Sequence, residues 1–238
     1  MSALLSVRGL GRTFAGLVAV KGVDFDLAPG EIRALIGPNG AGKTTFVSML
    51  IGRIAPTSGR ILFAGSDITA LPAHRRARAG MAYTFQITSV FARLPVAENV
   101  ALAARRALGG NRAAVREVVA ARLAEVGLSG RRAEVAGDLS YGHQRLLEIA
   151  MGLAQSPRLL ILDEPTQGLS DGEVAAFQAL IRSLVPRTTI LLIEHNMRVV
   201  MELADRVTVL AQGEVLAEGT PAEVRADARV QTAYLGAP

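Results

Sequence analysis

Apolar and polar residues alternate in one part of the chain and form unbroken apolar runs in others, a combination that predicts an α/β fold. Over 23–27, valine, phenylalanine and leucine alternate with two aspartates, which is typical of a half-buried antiparallel strand in a strand-rich segment spanning 4–36. The runs 159–162 and 188–193 are almost wholly apolar, as expected for strands buried on both faces of a parallel sheet. The segment 32–36 is similar and leads directly into a glycine-rich stretch.

Helical patterns separate these predicted strands. Apolar spacing predicts a helix over 44–51, and Ala, Leu, Val, Arg and Glu dominate 96–135, which we expect to be helical with one break at 109–111. Ser140 is a predicted N-cap for the next helix. Near the C-terminus, the sequence Thr-Pro-Ala-Glu at 220–223 combines an N-cap, a proline in the first turn and a capping-box glutamate, which indicates another helix start.

Composition excludes several classes of protein. The chain has 238 residues, 50% of them hydrophobic, which is enough for a substantial core. It contains no Cys, so a disulfide scaffold and Cys-ligated metal or iron–sulfur sites are excluded. No run approaches the roughly 18 apolar residues that a membrane span needs, and the apolar N-terminal run is too short for a signal peptide. We therefore expect a soluble, intracellular protein.

The positive charge is concentrated in the middle of the chain. The formal net charge is +5, and residues 71–135 alone hold 11 Arg against 4 Glu. Such a section suits an anionic membrane surface or nucleic acid, and it equally suits a solvated, Arg-rich helical face. Nucleic acid is the weaker alternative, because 71–135 lacks the interleaved aromatic residues of a stacking surface.

The glycine-rich stretch fits the phosphate-binding pattern G-x-x-x-x-G-K-[ST], in the strand–loop–helix context that the pattern requires. Its residues are Gly37, Pro38, Asn39, Gly40, Ala41, Gly42, Lys43 and Thr44. Glycines let the backbone wrap a polyphosphate, and the N–H groups of the loop and helix supply positive charge. Lys43, one of only two lysines, would reach the β- and γ-phosphates, and the Thr44 hydroxyl would bind Mg²⁺. This is a predicted nucleotide site.

An acidic pair completes that prediction. Asp163 closes the buried run 159–162, where it would hold Mg²⁺, and Glu164 beside it would polarise the attacking water.

Together these motifs resemble the ATP-binding-cassette (ABC) ATPases over essentially the whole chain. The loop 37–44 matches Walker A, and 159–164 matches Walker B. Gln86 matches the Q-loop glutamine and His195 the switch histidine, while 139–144 occupies the position of the signature motif. Phe14 matches the aromatic residue that stacks on adenine in the family.

Three positions depart from the usual family motifs. Tyr141 replaces a glycine and His143 a glutamine in the signature, although Ser140 and Gly142 are retained. Ser170 stands in the D-loop where many relatives have Asp. The resemblance does not say what these three side chains do.

The resemblance implies a mechanism and its cofactors, ATP and Mg²⁺. Two such subunits face each other head to tail, and each ATP lies between the Walker A loop of one chain and Ser140–Gly142 of the other. In this scheme, Glu164, His195 and Gln86 are catalytic, and Thr44, Gln86 and Asp163 hold the metal. The nucleotide-binding residues are Phe14, Gly37, Pro38, Asn39, Gly40, Ala41, Gly42, Lys43, Thr44, Thr45, Ser140 and Gly142.

The resemblance also implies a fold: a P-loop NTPase ABC cassette with a RecA-like core, an antiparallel β sub-domain and a helical sub-domain. On this scheme 1–238 is a single ABC ATPase domain. Residues 1–85 and 157–238 form the β sub-domain and core, and 86–156 form the helical sub-domain, whose surface would grip a membrane subunit.

Three stretches resemble the ATPases of branched-chain amino-acid importers in particular: 84–99, 141–150 and the ending Ala233-Tyr234-Leu235-Gly236. Of the paired ATPases in such systems, 193–201 resembles the larger type. The implied partners are two integral-membrane permease subunits, a second ABC ATPase and a solute-binding protein, without nucleic acid. The implied location is the cytoplasmic face of the cell membrane, peripherally.

Other functions remain open at this point. Urea and short-chain-amide importers share much of the pattern, and a lipopolysaccharide-export ATPase is a further alternative. A soluble, non-transport ABC ATPase is less favoured, because such proteins carry a second cassette or a long coiled coil. A scaffold that does not hydrolyse ATP is disfavoured by the intact Lys43, Asp163 and Glu164.

Overall fold

The computed structural model describes residues 3–85, 88–109, 111–185 and 187–235. Its strands are β1 Leu5–Phe14, β2 Leu17–Leu27, β3 Ile32–Ile36, β4 Ser58–Phe63, β5 Ser66–Asp67, β6 Met81–Thr84, β7 Leu159–Asp163, β8 Thr189–Ile193, β9 Arg206–Ala211 and β10 Glu214–Gly219. Its helices are α1 Lys43–Leu50, α2 Ala73–Arg78, α3 Val96–Leu108, α4 Arg112–Glu125, α5 Tyr141–Leu153, α6 Asp171–Leu184, α7 Met197–Leu203, α8 Pro221–Ala226 and α9 Ala228–Leu235.

The chain divides into two compact units. The first comprises Met1–Ala79 and Val185–Pro238, and the second comprises Gly80–Leu184. Strands and helices alternate in both units, so the predicted α/β class is confirmed.

The first unit contains an antiparallel sheet and a mostly parallel group of strands. The antiparallel sheet has the order β2-β1-β4-β5, with Leu5 of β1 opposite Leu27 of β2 and Phe63 of β4. The predicted alternation over 23–27 is confirmed, since its apolar residues are buried and both aspartates are exposed. Antiparallel sheets commonly bury one face and leave the other in water, which matches this alternation.

In the other group of strands, β3 lies between β8 and β9 and runs parallel to both. All five residues of β3 and all five of β8 are buried, as the unbroken apolar runs predict. A core cluster of small aliphatic residues packs these strands against the C-terminal helices, and it includes Ala34, Ile36, Val200, Val207, Val209, Val224 and Val230. The predicted capping box at Thr220 and Glu223 is present at the start of α8.

The second unit consists of the parallel pair β6–β7 and the helices α3 to α6. Met81 of β6 lies opposite Leu159 of β7, and the register continues to Thr84 opposite Leu162. Helices α3, α4 and α5 pack against one another. The side chain of Ser140 accepts a hydrogen bond from the His143 N–H, so the predicted N-cap of α5 is confirmed.

The helical prediction over 96–135 extends too far. Helix α4 ends at Glu125, and only Ser129–Arg131 of the remainder forms a short 3₁₀ turn. The chain reverses at Gly127, whose φ is +74°, and the Leu128 N–H reaches back to the Leu123 carbonyl at 2.7 Å. This is a Schellman-type termination, in which a left-handed glycine satisfies the last carbonyls of the helix.

Candidate functional site

The phosphate-binding loop joins two elements of the first unit. Strand β3 ends at Ile36, and α1 begins at Lys43, so residues 37–42 form the connection. Gly42 has a φ of +96°, and a Cβ atom there would lie 2.5 Å from the Ala19 carbonyl oxygen. Only glycine fits this position, because the left-handed backbone and the close approach of β2 both exclude a side chain.

The lysine of the loop is directed toward the loop itself. The Lys43 ammonium donates hydrogen bonds to the carbonyl oxygens of Gly37 at 2.6 Å and Pro38 at 3.1 Å. Thr44 is exposed and Thr45 is half-buried at the start of α1, so the Thr44 hydroxyl is accessible at the helix N-terminus. The loop therefore combines a cation with the positive end of a helix, which suits a polyphosphate.

Backbone hydrogen bonds tie the loop to neighbouring strands. The Gly213 N–H, in the turn between β9 and β10, donates to the Ala41 carbonyl at 3.1 Å. The Gly213 carbonyl in turn accepts from the Lys21 N–H of β2 at 2.8 Å. Tyr234 lies in the C-terminal helix α9, where burial raises the pKa of its phenol and the backbone of Gly37 partly opposes that rise.

A buried arginine holds the far end of α1. Arg76 is only 1% exposed, and its guanidinium donates to the carbonyls of Met49 at 2.6 Å and Leu50 at 2.8 Å. It also donates to Thr69 and Leu71, both at 2.8 Å. Burial lowers the pKa of Arg76 to about 10, so the side chain remains charged at pH 7. A cation at a helix C-terminus is favourable because it meets the orphan carbonyls and the negative end of the dipole.

Phe14 ends β1 and is 39% exposed, so it is not a core residue. The Arg12 guanidinium lies 4.5 Å from its ring centroid, a cation–π distance. The ring is therefore available on the surface of the first unit.

His195 follows β8 and is exposed. Leu35 of β3 lies opposite Ile193 of β8, so Gly37 and His195 leave adjacent parallel strands at the same edge of the sheet. Ligands bind at this edge in open α/β sheets. The structure thus brings the phosphate loop and His195 to one edge.

Glu194 supports His195, a role that the sequence did not indicate. Its carboxyl is 1% exposed and accepts the backbone N–H groups of His195 at 3.2 Å and Asn196 at 3.3 Å. Asn196 then caps α7 through the N–H groups of Arg198 and Val199.

In the second unit, Asp163 is the last residue of β7 and Glu164 follows it. The Tyr83 hydroxyl, on the adjacent strand β6, donates to the Asp163 carboxylate at 2.6 Å. Glu164 has a φ of +46°, in the left-handed region that non-glycine residues seldom adopt. Such strain is concentrated at functional sites, where the surrounding structure enforces it.

The signature segment begins α5. The Ser140 hydroxyl is 2.8 Å from the His143 Nδ1, in addition to its capping bond. Gly142 is buried, and a Cβ atom there would clash with the Glu173 carboxylate. Tyr141 packs beside Gly168, and its hydroxyl is 3.2 Å from an Arg145 guanidinium nitrogen, which donates to it. The two replaced side chains therefore have defined contacts.

Ser170 also has a defined contact. Its N–H and hydroxyl both donate to the Glu173 carboxylate, at 2.9 and 2.7 Å. These bonds lower the pKa of Glu173 and form a capping arrangement at the start of α6. Serine and aspartate are comparable N-caps, so the replacement preserves the helix start.

Gln86 and Ile87 lie outside the described residues, and Phe85 is the described residue that precedes them. The Phe85 N–H donates to the Glu148 carboxylate of α5 at 2.9 Å. Arg145 donates to the Phe85 carbonyl, and to Glu148 at 2.9 Å. Glu148 is 5% exposed and Arg145 is fully buried. Burial raises the pKa of Glu148, opposed by these hydrogen bonds and the charge of Arg145.

Neither Arg145 nor Glu148 was singled out from the sequence. The feature that could have indicated them is a pair of opposite charges at i and i+3 on the otherwise apolar face of α5. Tyr83 carried no comparable signal, because a tyrosine in a strand usually packs.

Within the described ranges, no helix is long and apolar enough to span a bilayer. No group of three acidic or histidine side chains that could hold a metal occurs in that same part of the chain.

Known proteins match this chain along nearly its whole length. Residues 20–167 match the family model described as ABC transporter, and 214–238 match the model described as branched-chain amino acid ATP-binding cassette transporter. The chain is 41% identical to the high-affinity branched-chain amino acid transport ATP-binding protein BraF of Pseudomonas aeruginosa and 42% identical to LivG of Escherichia coli K12, each over 98% of both chains. It is 40% identical to the lipopolysaccharide export ATP-binding protein LptB of Acidithiobacillus ferridurans, over 99% of this chain and 98% of that protein.

Solved structures agree with the sequence matches. The ADP conformation of MJ1267, an ATP-binding cassette of an ABC transporter, has a TM-score of 0.88 at 26% identity, covering 99% of this chain and 100% of that one. The structure of cbiO1 from Clostridium perfringens, part of the transporter complex cbiONQ, has a TM-score of 0.86 at 29% identity, covering 100% and 97%. The predicted cassette fold is confirmed, and the chain belongs to the ABC transporter family as an ATP-hydrolysing, nucleotide-binding subunit.

Proposed function

We propose that this chain supplies the ATP hydrolysis for an importer of branched-chain amino acids. The observation that carries the proposal is the similarity to BraF and LivG over 98% of the chain, together with the match of 214–238 to a model specific to such transporters. No residue of this chain is proposed to contact the solute.

In the proposed site, Lys43 and the backbone N–H groups of residues 37–45 other than Pro38 bind the phosphates of ATP, and Phe14 stacks on the adenine. The loop geometry supports this role, since the Lys43 ammonium lies 2.6 Å from the Gly37 carbonyl at the mouth of an anion-binding loop. The exposed ring of Phe14, backed by Arg12, supports the stacking role.

Thr44, Asp163 and Gln86 would hold Mg²⁺. Mg²⁺ is bound in such sites through one or two carboxylates together with substrate phosphates and water, and the Asp163 carboxylate would supply such a ligand. When bound, the ion supplies charge stabilisation to the transferring phosphoryl group. Tyr83 orients the Asp163 carboxylate through its 2.6 Å hydrogen bond.

Glu164 would accept a proton from the attacking water, while His195 and Gln86 contact the γ-phosphate. Two observations support these roles. Glu164 has a left-handed backbone, and the buried Glu194 accepts a hydrogen bond from the His195 N–H. Both arrangements fix a residue at the end of a strand. In this proposal, catalysis comes from electrostatic stabilisation of the transferring phosphoryl group and from the positioning of the attacking water.

A second ATPase subunit would complete each site through Ser140 and Gly142. The N-terminus of α5 supports that contact, since Ser140 is exposed at the start of a 13-residue helix. The further partners are two permease subunits and a solute-binding protein, and the chain lies peripherally on the cytoplasmic face of the membrane.

The test is to purify the tagged chain from detergent-solubilised membranes and to identify what accompanies it. We expect two permeases and a sister ATPase, and ATP turnover that rises when a leucine-loaded binding protein is added to the reconstituted complex. Lys43→Ala is the control, because it should copurify but not bind ATP. If the permeases copurify but ATP turnover does not respond to leucine, isoleucine or valine, the assignment to branched-chain amino acids is overturned. The assignment as a transporter ATPase would then still stand.

A lipopolysaccharide-export ATPase is the second candidate, supported by the 40% identity to LptB over nearly the full length. The same purification separates the two functions, because an export subunit would bring lipopolysaccharide-handling proteins and would not respond to a solute-binding protein.

A further inference from the structure

A cavity of about 530 Å³ lies in the second unit, between α3 and α4. Four arginines line it, together with one glutamate: Arg105 and Glu98 from α3, Arg112 and Arg116 from α4, and Arg132. Alanines and valines of the two helices form the rest of the wall. We call this the arginine cavity.

Arg105 is the arginine of the cavity whose charge is paired within the described residues. Arg105 donates to both oxygens of Glu98, at 2.7 and 3.3 Å. Arg112, Arg116 and Arg132 have no ion pair within residues 3–85, 88–109, 111–185 and 187–235. The lining therefore carries three uncompensated positive charges.

The N-terminus of α4 adds to this positive field. Asn111 caps the helix by accepting the Ala114 N–H at 3.1 Å, and Arg112 is its first residue. The first turn of α4 contains no acidic residue. Arginine is unfavourable there, because helix N-termini carry partial positive charge and favour anions. Arg112, Arg116 and Arg132 are all exposed, so an anion in the cavity could reach their charges and would also offset this unfavourable helix start.

We propose that the arginine cavity binds the phosphate group of an anionic ligand. Guanidinium groups match phosphate oxygens in paired, planar hydrogen bonds, and three of them neutralise a phosphate dianion better than a carboxylate. The alanine and valine wall accepts an apolar portion next to that group. The phosphate belongs either to a free phosphorylated solute or to the headgroup of an anionic lipid.

The experiment uses the full chain with its nucleotide site filled by Mg²⁺ and a non-hydrolysable ATP analogue, so that the loop 37–44 does not compete. Glycerol 3-phosphate is titrated calorimetrically, and vesicles of phosphatidylglycerol in phosphatidylcholine are tested by co-sedimentation. The cavity variant is Arg116→Gln/Arg132→Gln. The matched control is Arg93→Gln/Arg225→Gln, which removes the same charge from exposed positions outside the cavity.

We expect the cavity variant to weaken binding at least tenfold for one of the two probes, and the control to change it less than twofold. Glu98→Gln should tighten binding of the same probe, because it removes the negative charge from the lining. A response to glycerol 3-phosphate assigns a free solute, and a response to the vesicles alone assigns a lipid headgroup. Equal losses in the cavity and control variants, or no binding of either probe, would overturn the proposal.

Discussion

The Tyr83 hydroxyl donates a 2.6 Å hydrogen bond to the carboxylate of Asp163. The two residues sit on the paired strands β6 and β7, where Tyr83 lies opposite Ile161, two positions before the aspartate. The ring of Tyr83 is held in turn by an edge-to-face contact with Phe85, at 4.9 Å between centroids. A side chain that binds no metal itself thus orients the carboxylate proposed to bind Mg²⁺.

Tyr83→Phe is expected to raise the Mg²⁺ concentration for half-maximal ATPase activity by about 10-fold or more, because loss of an outer-shell partner typically costs 10–100-fold. The Mg²⁺ dependence of steady-state turnover is the measurement. Thr84→Val is the matched control. Its hydroxyl is buried on the same strand and has no hydrogen-bond partner among the residues that the structure describes, so its removal should leave the Mg²⁺ dependence unchanged. Equal behaviour of the two variants would contradict the role of Tyr83.

Glu148→Gln is expected to lower the free energy of unfolding by about 3 kcal/mol at pH 7, because it leaves the buried Arg145 charge without a counter-charge. Burial raises the pKa of Glu148, so as the pH falls the folded protein takes up a proton at this carboxyl before the unfolded chain does, and folding gains stability. Gln does not titrate, so the difference in the free energy of unfolding between wild type and variant should widen in mild acid. Denaturant unfolding at several pH values checks this.

The exposed pair Arg131–Glu134 provides the control for that variant, as it has the same i, i+3 spacing. Glu134→Gln should change stability by less than about 1 kcal/mol. In Glu148→Gln, exchange of the Phe85 amide hydrogen should accelerate, and in Glu134→Gln it should not. Unchanged exchange at Phe85 in Glu148→Gln would show that Glu148 does not hold this part of the backbone.

Arg76→Met is expected to destabilise the protein by about 2–4 kcal/mol, since four carbonyls, two buried and two half-buried, lose a charged donor. The measurement is urea unfolding, in which the midpoint should fall and the m-value should stay unchanged. Arg78→Met, an exposed arginine of the same helix α2, should change stability by less than about 0.5 kcal/mol. Similar losses in both variants would mean that the cap on α1 is unimportant.

Ser170→Asp should be close to neutral and Ser170→Ala should cost about 1 kcal/mol, because serine and aspartate both cap helices well and alanine does not. Thermal unfolding of the three proteins tests this order. If the ATPase activity of Ser170→Asp differs from wild type while stability does not, Ser170 has a role beyond starting α6.

Much of the fold follows from local patterns. The buried strands β3, β7 and β8 and the caps at Ser140 and Thr220 were predictable, because apolar runs and capping residues act over short distances. The end of α4 was missed, since a left-handed Gly127 counts as a single weak breaker in an Ala- and Arg-rich segment.

The supporting side chains were less accessible to sequence reasoning. Tyr83, Glu148 and Glu194 act through partners that are brought close only by strand pairing, helix packing or a turn. Walker-type motifs, in contrast, place their chemistry on consecutive residues. The sequence therefore predicts the groups proposed to contact the nucleotide. It does not predict the side chains that hold those groups in place.

The core cluster that Val224 and Val230 share with Ile36 has a consequence for comparisons among relatives. Both valines belong to the C-terminal segment that matches the branched-chain amino acid transporter model, whereas Ile36 directly precedes the loop that lies within the ABC transporter model. A chimaera that exchanges tails between transport systems would thus alter nucleotide affinity along with any partner preference. We therefore expect relatives to inherit the C-terminal tail and the phosphate-binding loop together.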